Sequence, residues 1–191
     1  MKRIGILALQ GAFKEHINVI KSLGHEAIEI RKLEELDNLD GIILPGGEST
    51  AMGKLLNDFG IKEVLVNKIK NGLAVWGTCA GMILLANELD GDEAHLKVMN
   101  IKVRRNAYGS QLDSFIVKEV VEGVSKKEIP MVFIRAPYIV DIDENVEVLH
   151  KVDGNIVAAR QDNMLVTSFH PELTDDTTFH EYFINMINEL E

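Results

Sequence analysis

The chain has 191 residues, 46% hydrophobic and 26% charged, which is typical of one soluble globular domain with a sizeable core. Its formal net charge of −10 disfavours nucleic-acid binding, and no apolar run is long enough to span a bilayer or to form a signal peptide. We therefore expect a single cytoplasmic domain over residues 1–191, without a nucleic-acid or membrane partner.

Strand and helix patterns alternate through the first half of the chain. Short apolar runs predict strands over residues 4–9, 26–30, 42–44 and 73–76. Apolar residues at helical spacing predict helices over residues 13–23, 50–57, 61–69 and about 81–89. Gly24 and the Asn-Gly pair at 71–72 stand where two of these helices are expected to end. The alternation indicates βαβ units with a parallel sheet.

The second half is dominated by short strand patterns. They predict strands over residues 98–104, 114–117, 131–134, 146–152, 156–161 and 164–169. Turn pairs at 153–154 and 162–163 predict hairpins between the last three strands, and an amphipathic pattern predicts a terminal helix over about 177–190. We therefore predict a three-layer α/β domain with a mostly parallel central sheet, flanking helices and an antiparallel section.

Cys79 is the only cysteine in the chain, so neither an internal disulfide nor a cysteine-rich zinc site is possible. It lies in the sequence Gly-Thr-Cys-Ala-Gly, residues 77–81, between a predicted strand and a predicted helix. Such a turn projects a nucleophile from the sheet, leaves N–H groups free to hold an oxyanion and favours the thiolate. A lone cysteine is more often a buried apolar filler, but a filler would not need the flanking glycines. We predict that Cys79 is an acyl-transfer nucleophile.

His170 and Glu172 follow directly after the predicted strand 164–169. Residues two apart on an extended segment point to the same side, and Pro171 favours that extended form. We predict that His170 is the general base for Cys79, and that Glu172 orients the imidazole and stabilises the imidazolium. The alternative is an incidental His–Glu pair on a surface loop. The glycine-flanked turn at residues 77–81, which we call the cysteine elbow, makes this the weaker interpretation.

A glycine pair follows another predicted strand, in the sequence Leu-Pro-Gly-Gly-Glu-Ser at residues 44–49. Unobstructed backbone N–H groups and the start of the next helix suit an oxyanion hole or a carboxylate pocket, although an ordinary turn has the same pattern. The remaining histidines are scattered without the spacing of a helical metal pair, so we expect structural or solvated roles. They are His16, His25, His95, His150 and His180. No metal or cofactor is predicted.

The elbow and the His-Pro-Glu segment together resemble the triad (class I) glutamine amidotransferases, which have a flavodoxin-like fold. Within that group the chain is similar to the glutaminase subunits of pyridoxal 5′-phosphate synthase, because further segments match over essentially the whole chain. These segments are residues 4–16, 44–50, 105–109, 133–137 and 168–174.

The resemblance implies that glutamine is hydrolysed to glutamate and ammonia through a γ-glutamyl thioester on Cys79, supported by His170 and Glu172. It implies that the backbone N–H groups of Gly47 and Ala80 stabilise the oxyanion. It also implies a set of residues that hold glutamine, which are Gly47, Glu48, Ser49, Arg105, Ile134 and Arg135.

The resemblance also implies a protein partner, a separate synthase subunit in a large hetero-oligomer. That subunit uses the ammonia to make pyridoxal 5′-phosphate from ribose 5-phosphate and glyceraldehyde 3-phosphate. The region around Gln10 is implicated in organising the oxyanion hole on docking.

One position departs from the family pattern, since an arginine is common where this chain has Ser110. A charge contact near the pocket or the partner surface is expected to be missing there. Two alternatives to the glutaminase hypothesis remain open. One is another cysteine hydrolase, such as a peptidase, or another amidotransferase on the same fold, and the other is a non-catalytic binding module in which Cys79 is buried.

Overall fold

The structure is a computed structural model that describes residues 1–109 and 113–191, so Ser110 lies outside the described residues. The helices are α1 (Phe13–Ser22), α2 (Ser49–Asp58), α3 (Ile61–Lys70), α4 (Ala80–Leu85) and α5 (Thr178–Leu190). The strands are β1 (Arg3–Leu7), β2 (Glu26–Ile30), β3 (Gly41–Leu44), β4 (Ala74–Thr78), β5 (Ala86–Leu89), β6 (Met99–Arg104), β7 (Ser114–Val120), β8 (Glu128–Ile134), β9 (Tyr138–Ile142), β10 (Glu147–Val152), β11 (Asn155–Gln161) and β12 (Met164–Thr167).

Ten of the strands in the described ranges form one sheet in the order β2-β1-β3-β4-β12-β11-β9-β6-β5, with β10 paired to β11. The first five strands in this order are parallel to their neighbours. Strands β11 and β9 bring in antiparallel pairing, while β7 and β8 form a separate two-stranded sheet. The predicted combination of a parallel sheet with an antiparallel section is therefore confirmed.

The parallel strands are buried on both faces, which is why their sequences are continuous apolar runs. In β3, Ile42 and Leu44 join the core on one face and Ile43 joins the core on the other. Helices α2, α3 and α4 contribute to the first core, whereas α1 and α5 contribute to the second. The helices thus lie in two layers around the sheet, as the three-layer prediction requires.

The strand order places three loops together at one edge of the sheet. It reverses beside β1, which has β2 on one side and β3 on the other, and the carboxyl ends of strands at such a point form a crevice. Gln10, Gly47 and Cys79 follow β1, β3 and β4, and all three line the same cavity. The topology thereby brings the sequence-predicted elements to one place.

The structure differs from the predicted elements in two places. The helix predicted over 81–89 ends at Leu85, because Ala86–Leu89 pairs with β6 as the strand β5. Residues 86–89 are Ala-Asn-Glu-Leu, which follow the apolar run of α4, and pairing with β6 decides their conformation. Strand β9 was not predicted. The hairpin turns predicted at 153–154 and 162–163 are confirmed by the antiparallel β10–β11 and β11–β12 pairs.

No helix in the described residues is long and apolar enough to cross a membrane.

Phe183 provides a test of how α5 is anchored to the sheet. Its side chain is fully buried, and its ring lies 5.8 Å from that of Trp76. Replacing it with alanine leaves a large cavity, so we expect Phe183→Ala to lower the free energy of unfolding by about 3–5 kcal/mol. Leu190→Ala on the same helix is the matched control, because Leu190 is 44% exposed and its loss is expected to cost less than about 1 kcal/mol. Chemical denaturation of both variants makes the comparison, and equal losses would contradict this packing.

Candidate active site

Cys79 occupies a strained turn between β4 and α4. Its backbone has φ of 50° and ψ of −105°, a conformation rare for a residue other than glycine. The Cys79 N–H donates to the carbonyl oxygen of Thr167 at 2.8 Å, which ties the turn to the neighbouring strand β12. Positive φ at a nucleophile is the geometry of the elbow expected from the sequence.

The two glycines beside Cys79 are required by close backbone contacts. A Cβ atom on Gly81 would lie 2.0 Å from the carbonyl oxygen of Leu44, and one on Gly77 would lie 2.5 Å from the carbonyl carbon of Gly81. Both distances are shorter than any normal contact, and both involve backbone that cannot move aside. Helix α4 can therefore begin this close to β3 and β4 only because these side chains are absent.

His170 lies beside Cys79, and Glu172 lies behind His170. The distance between His170 Nδ1 and Glu172 Oε1 is 2.7 Å, and the Glu172 side chain has no solvent exposure. The His170 N–H donates to the Val132 carbonyl oxygen at 2.8 Å. A Cβ on Gly46 would lie 2.3 Å from His170 Cε1, so the glycine loop also leaves room for the imidazole ring. The structure thus brings the three residues of the predicted triad together.

The environment of His170 favours the imidazolium. Burial is the largest influence and by itself lowers the pKa, but Cys79 and Glu172 outweigh it and raise the pKa of His170 to about 10. An imidazolium beside Cys79 favours the thiolate, which is the reactive form of a cysteine. The arrangement can therefore present an activated nucleophile at neutral pH.

The glycine loop after β3 is fastened by polar contacts on both sides. The Glu48 N–H donates to Gln10 Oε1 at 2.8 Å, while the Glu48 carboxylate accepts from the N–H groups of Thr50 and Ala51 at 3.1 and 2.7 Å. Arg105 Nη2 lies 3.3 Å from Glu48 Oε1. Burial raises the pKa of Glu48, but these backbone donors, followed by Arg105, outweigh it and hold the pKa below its usual value. Glu48 is thus a charged cap of α2 as well as a candidate binding group.

A cavity of about 520 Å³ opens beside Cys79. Of the residues predicted from the sequence, Glu172 alone is absent from its wall, because it lies buried behind His170. Those in the wall are Gln10, Gly47, Glu48, Ser49, Cys79, Ala80, Arg105, Ile134, Arg135 and His170. The wall also contains residues that were not among the individually predicted site residues, which are Gly11, Ala12, Gly46, Ile83, Asn106 and Leu173. Most of these residues are adjacent in sequence to predicted site residues, and this adjacency is the feature of the sequence that points to them.

Two buried histidines lie behind the triad, and sequence reasoning treated them only as structural or solvated residues. His16 Nδ1 is 2.9 Å from His180 Nε2, and His16 Nε2 is 3.4 Å from both Thr78 Oγ1 and Glu172 Oε2. Burial, then the neighbouring His180 and His170, keeps the pKa of His16 well below its usual value. Burial also lowers the pKa of His180 to about 3. Both rings are therefore neutral at neutral pH.

The comparison with protein families gives one match over nearly the whole chain. A family model described as the SNO glutamine amidotransferase family matches residues 6–189. A protein of Clostridium beijerinckii named pyridoxal 5′-phosphate synthase subunit PdxT is 57% identical over 183 residues, covering 95% of this chain and 96% of that protein. The protein of the same name from Clostridium botulinum is 56% identical and covers 97% of each chain.

Solved structures give the same picture of the fold. A crystal structure described as a glutamine amidotransferase superposes with a TM-score of 0.92 at 45% identity, covering 97% of this chain and 98% of the other. The structure of PurLQS from Thermotoga maritima superposes with a TM-score of 0.74 at 18% identity, covering 100% of both chains. At that identity the second likeness concerns the fold alone.

The reactivity of Cys79 tests the electrostatics of the site without any substrate. Replacing His170 with alanine removes the imidazolium that favours the thiolate, so we expect alkylation of Cys79 by iodoacetamide at about pH 7 to slow at least about tenfold. His150→Gln is the control, because His150 pairs with Glu119 and does not line the cavity. Equal alkylation rates in His170→Ala and the parent protein would contradict the ion pair.

Because His16 and His180 are neutral in the folded protein, we expect the protein to lose stability in acid. Below about pH 6.5 the unfolded chain takes up protons at His16 and His180 that the folded chain does not bind. Each histidine should therefore lower the free energy of unfolding by about 1.4 kcal/mol for each pH unit below that value. His180→Phe should reduce this dependence of the free energy of unfolding on pH by the contribution of one histidine. Urea denaturation between about pH 6.5 and about pH 5 measures it. An unchanged slope would mean that His180 is protonated in the folded protein.

Proposed function

The chain belongs to the SNO glutamine amidotransferase family, and from this premise we propose that it hydrolyses L-glutamine to L-glutamate and ammonia through a thioester on Cys79. The ammonia passes to a synthase subunit that makes pyridoxal 5′-phosphate from ribose 5-phosphate and glyceraldehyde 3-phosphate. The observation that carries the proposal is the buried Cys79–His170–Glu172 arrangement beside a cavity of about 520 Å³. The names of the relatives support the partner.

The first half of the proposed reaction forms the thioester. Cys79 Sγ, as a thiolate paired with the His170 imidazolium, attacks the γ-carbonyl carbon of glutamine, and the carbonyl electrons move to oxygen. The N–H groups of Gly47 and Ala80 donate to this oxyanion; Ala80 lies in the first turn of α4, where N–H groups lack partners within the helix. The C–N bond then breaks, and the imidazolium protonates the leaving nitrogen, which departs as ammonia.

The second half regenerates the enzyme. Neutral His170 takes a proton from a water molecule, whose oxygen attacks the thioester carbon. The C–S bond breaks, glutamate leaves, and the thiolate and imidazolium are restored. Glu172 stabilises the imidazolium through the 2.7 Å contact in both halves.

Glutamine is held in this proposal by the residues that the sequence pointed to, which are Gly47, Glu48, Ser49, Arg105, Ile134 and Arg135. Support comes from their position, since all of them line the cavity beside Cys79. Glu48 and Arg105 face each other at 3.3 Å and supply the two opposite charges that the ammonium and carboxylate groups of an amino acid need.

Docking of the synthase subunit is proposed to act through Gln10. The Gln10 side chain accepts a hydrogen bond from the Glu48 N–H at 2.8 Å. Glu48 directly follows Gly47, whose own N–H is assigned to the oxyanion. Movement of Gln10 would therefore reorient the glycine loop. The rim of the cavity also carries apolar side chains, Ile134 and Leu173, which are 40% and 45% exposed and suit a protein partner.

The test is glutamate release from glutamine, measured with and without a candidate synthase subunit. Cys79→Ala should lower the partner-stimulated rate by at least about a thousandfold, because no other residue supplies the nucleophile. Cys79→Ser keeps the shape and lacks a comparable thiolate, so it separates loss of chemistry from loss of structure.

Three outcomes would count against the proposal. Absence of glutamate release at saturating glutamine with the partner present would contradict glutamine hydrolysis. Partner-independent turnover of peptides or esters would favour another cysteine hydrolase. A Cys79 that resists alkylation at neutral pH, in the free and the partner-bound protein, would favour a binding module.

A further inference from the structure

The second oxygen of Glu172 has a limited set of neighbours. Its Oε1 pairs with His170, while its Oε2 is buried and makes no hydrogen bond among the described residues. His16 of α1 faces Oε2, with Nε2 at 3.4 Å. A fully buried carboxylate oxygen without a donor is costly, so this contact decides how Glu172 is held.

The hydrogen positions on His16 and His180 follow from the groups around them. If His16 Nε2 carried a lone pair, that lone pair would face the lone pairs of a carboxylate oxygen, which is repulsive. With the proton on Nε2, His16 donates towards Glu172 Oε2 and Thr78 Oγ1, and its Nδ1 accepts from the Nε2–H of His180.

The remaining nitrogen of His180 agrees with this assignment. His180 Nδ1 is buried and has no hydrogen-bond partner among the described residues. In the assigned tautomer Nδ1 carries no proton, so no N–H group is left unpaired. The opposite tautomer would bury an N–H without an acceptor, which costs more. The ring of His180 is held by Trp76, with 4.8 Å between ring centroids.

We propose that His16 is a positioning residue for the triad, with its Nε2–H directed at Glu172 Oε2 across 3.4 Å while His180 of α5 selects its tautomer. The proposal rests on the proposed function, because it concerns how the same triad is kept ready. His16 does not line the cavity, so it acts through Glu172 and not on the substrate.

Loss of His16 would change the environment of the Glu172 carboxylate. Glu172 faces His170 from its own segment and His16 from α1, while Thr78 of β4 and His180 of α5 reach it only through His16. Without His16, Glu172 would be buried with a single donor and would rotate more freely. A displaced Glu172 raises the pKa of His170 less, so the imidazolium supports the reactivity of Cys79 less well and the acid limb of Cys79 alkylation moves up.

The experiment compares two substitutions at His16. His16→Leu removes the donor at similar volume, whereas the amide nitrogen of His16→Gln reaches the position of Nε2 and keeps a donor there. We expect His16→Leu to lower kcat for glutamine about tenfold with KM changed less than about twofold, and His16→Gln to restore most of kcat. The acid limb of the pH profile of Cys79 alkylation should move up by about one unit in His16→Leu and by less than about 0.3 unit in His16→Gln.

Ile17→Ala separates positioning from stability. Ile17 is the buried neighbour of His16 on α1, and its truncation weakens the packing of this helix without removing a polar group. We expect it to lower the melting temperature while leaving the alkylation profile and kcat within about twofold of the parent values. A similar shift of the acid limb in Ile17→Ala would overturn the proposal, as would an unshifted limb in a folded His16→Leu.

Failure of the proposed function gives a different result. Alkylation of Cys79 needs no glutamine, so a protein that fails to hydrolyse glutamine would still show whether His16 sets the acid limb. His180→Phe adds an independent check, because it removes the donor to His16 Nδ1 and should shift the limb in the same direction by a smaller amount. A shift in the opposite direction would contradict the assigned tautomer.

Discussion

The polypeptide passes from β4 into α4 through a residue with φ of 50°, and this turn is possible only because two glycines lack side chains. Gly81 lets the helix start against the Leu44 carbonyl, which keeps α4 close to β3. The glycine loop after β3 in turn leaves room for the imidazole of His170. The nucleophile, the loop and the base are thus positioned by close backbone contacts, and a single Cβ atom would separate them.

Around this turn the protein buries more ionisable groups than a simple core would need. A carboxylate without exposure is tolerated because the imidazolium of His170 accompanies it, and breaking such a pair leaves an uncompensated charge. The other carboxylate oxygen of Glu172, Oε2, faces His16, which is neutral. The charge of the triad is therefore shared by Glu172 and His170 and does not extend to His16.

Much of the fold and the candidate site could be predicted because the signals are local. The strand β3 is recognisable from three consecutive apolar residues. Cys79 follows β4 directly, and His170 lies three residues after the end of β12. Prediction failed where pairing partners decide: residues 86–89, Ala-Asn-Glu-Leu, follow the apolar run of α4 but form a strand beside β6, and β9 was not recognised. His16 could not be assigned to the site, since a lone histidine on a helix carries no local sign of its partners.

The sequence by itself determined the chemical types present at each strand end: a thiol on a glycine-flanked turn, an imidazole with a carboxylate two residues later, and a glycine pair before a helix. The likeness of these segments to a family pointed to glutamine. Only the tertiary structure decided which side chains meet, because His16 and His180 are 164 residues apart and become neighbours when α1 and α5 pack on the same face of the sheet. Contacts of this kind depend on sheet order and helix placement, which arise from the burial of the whole core and not from any local pattern.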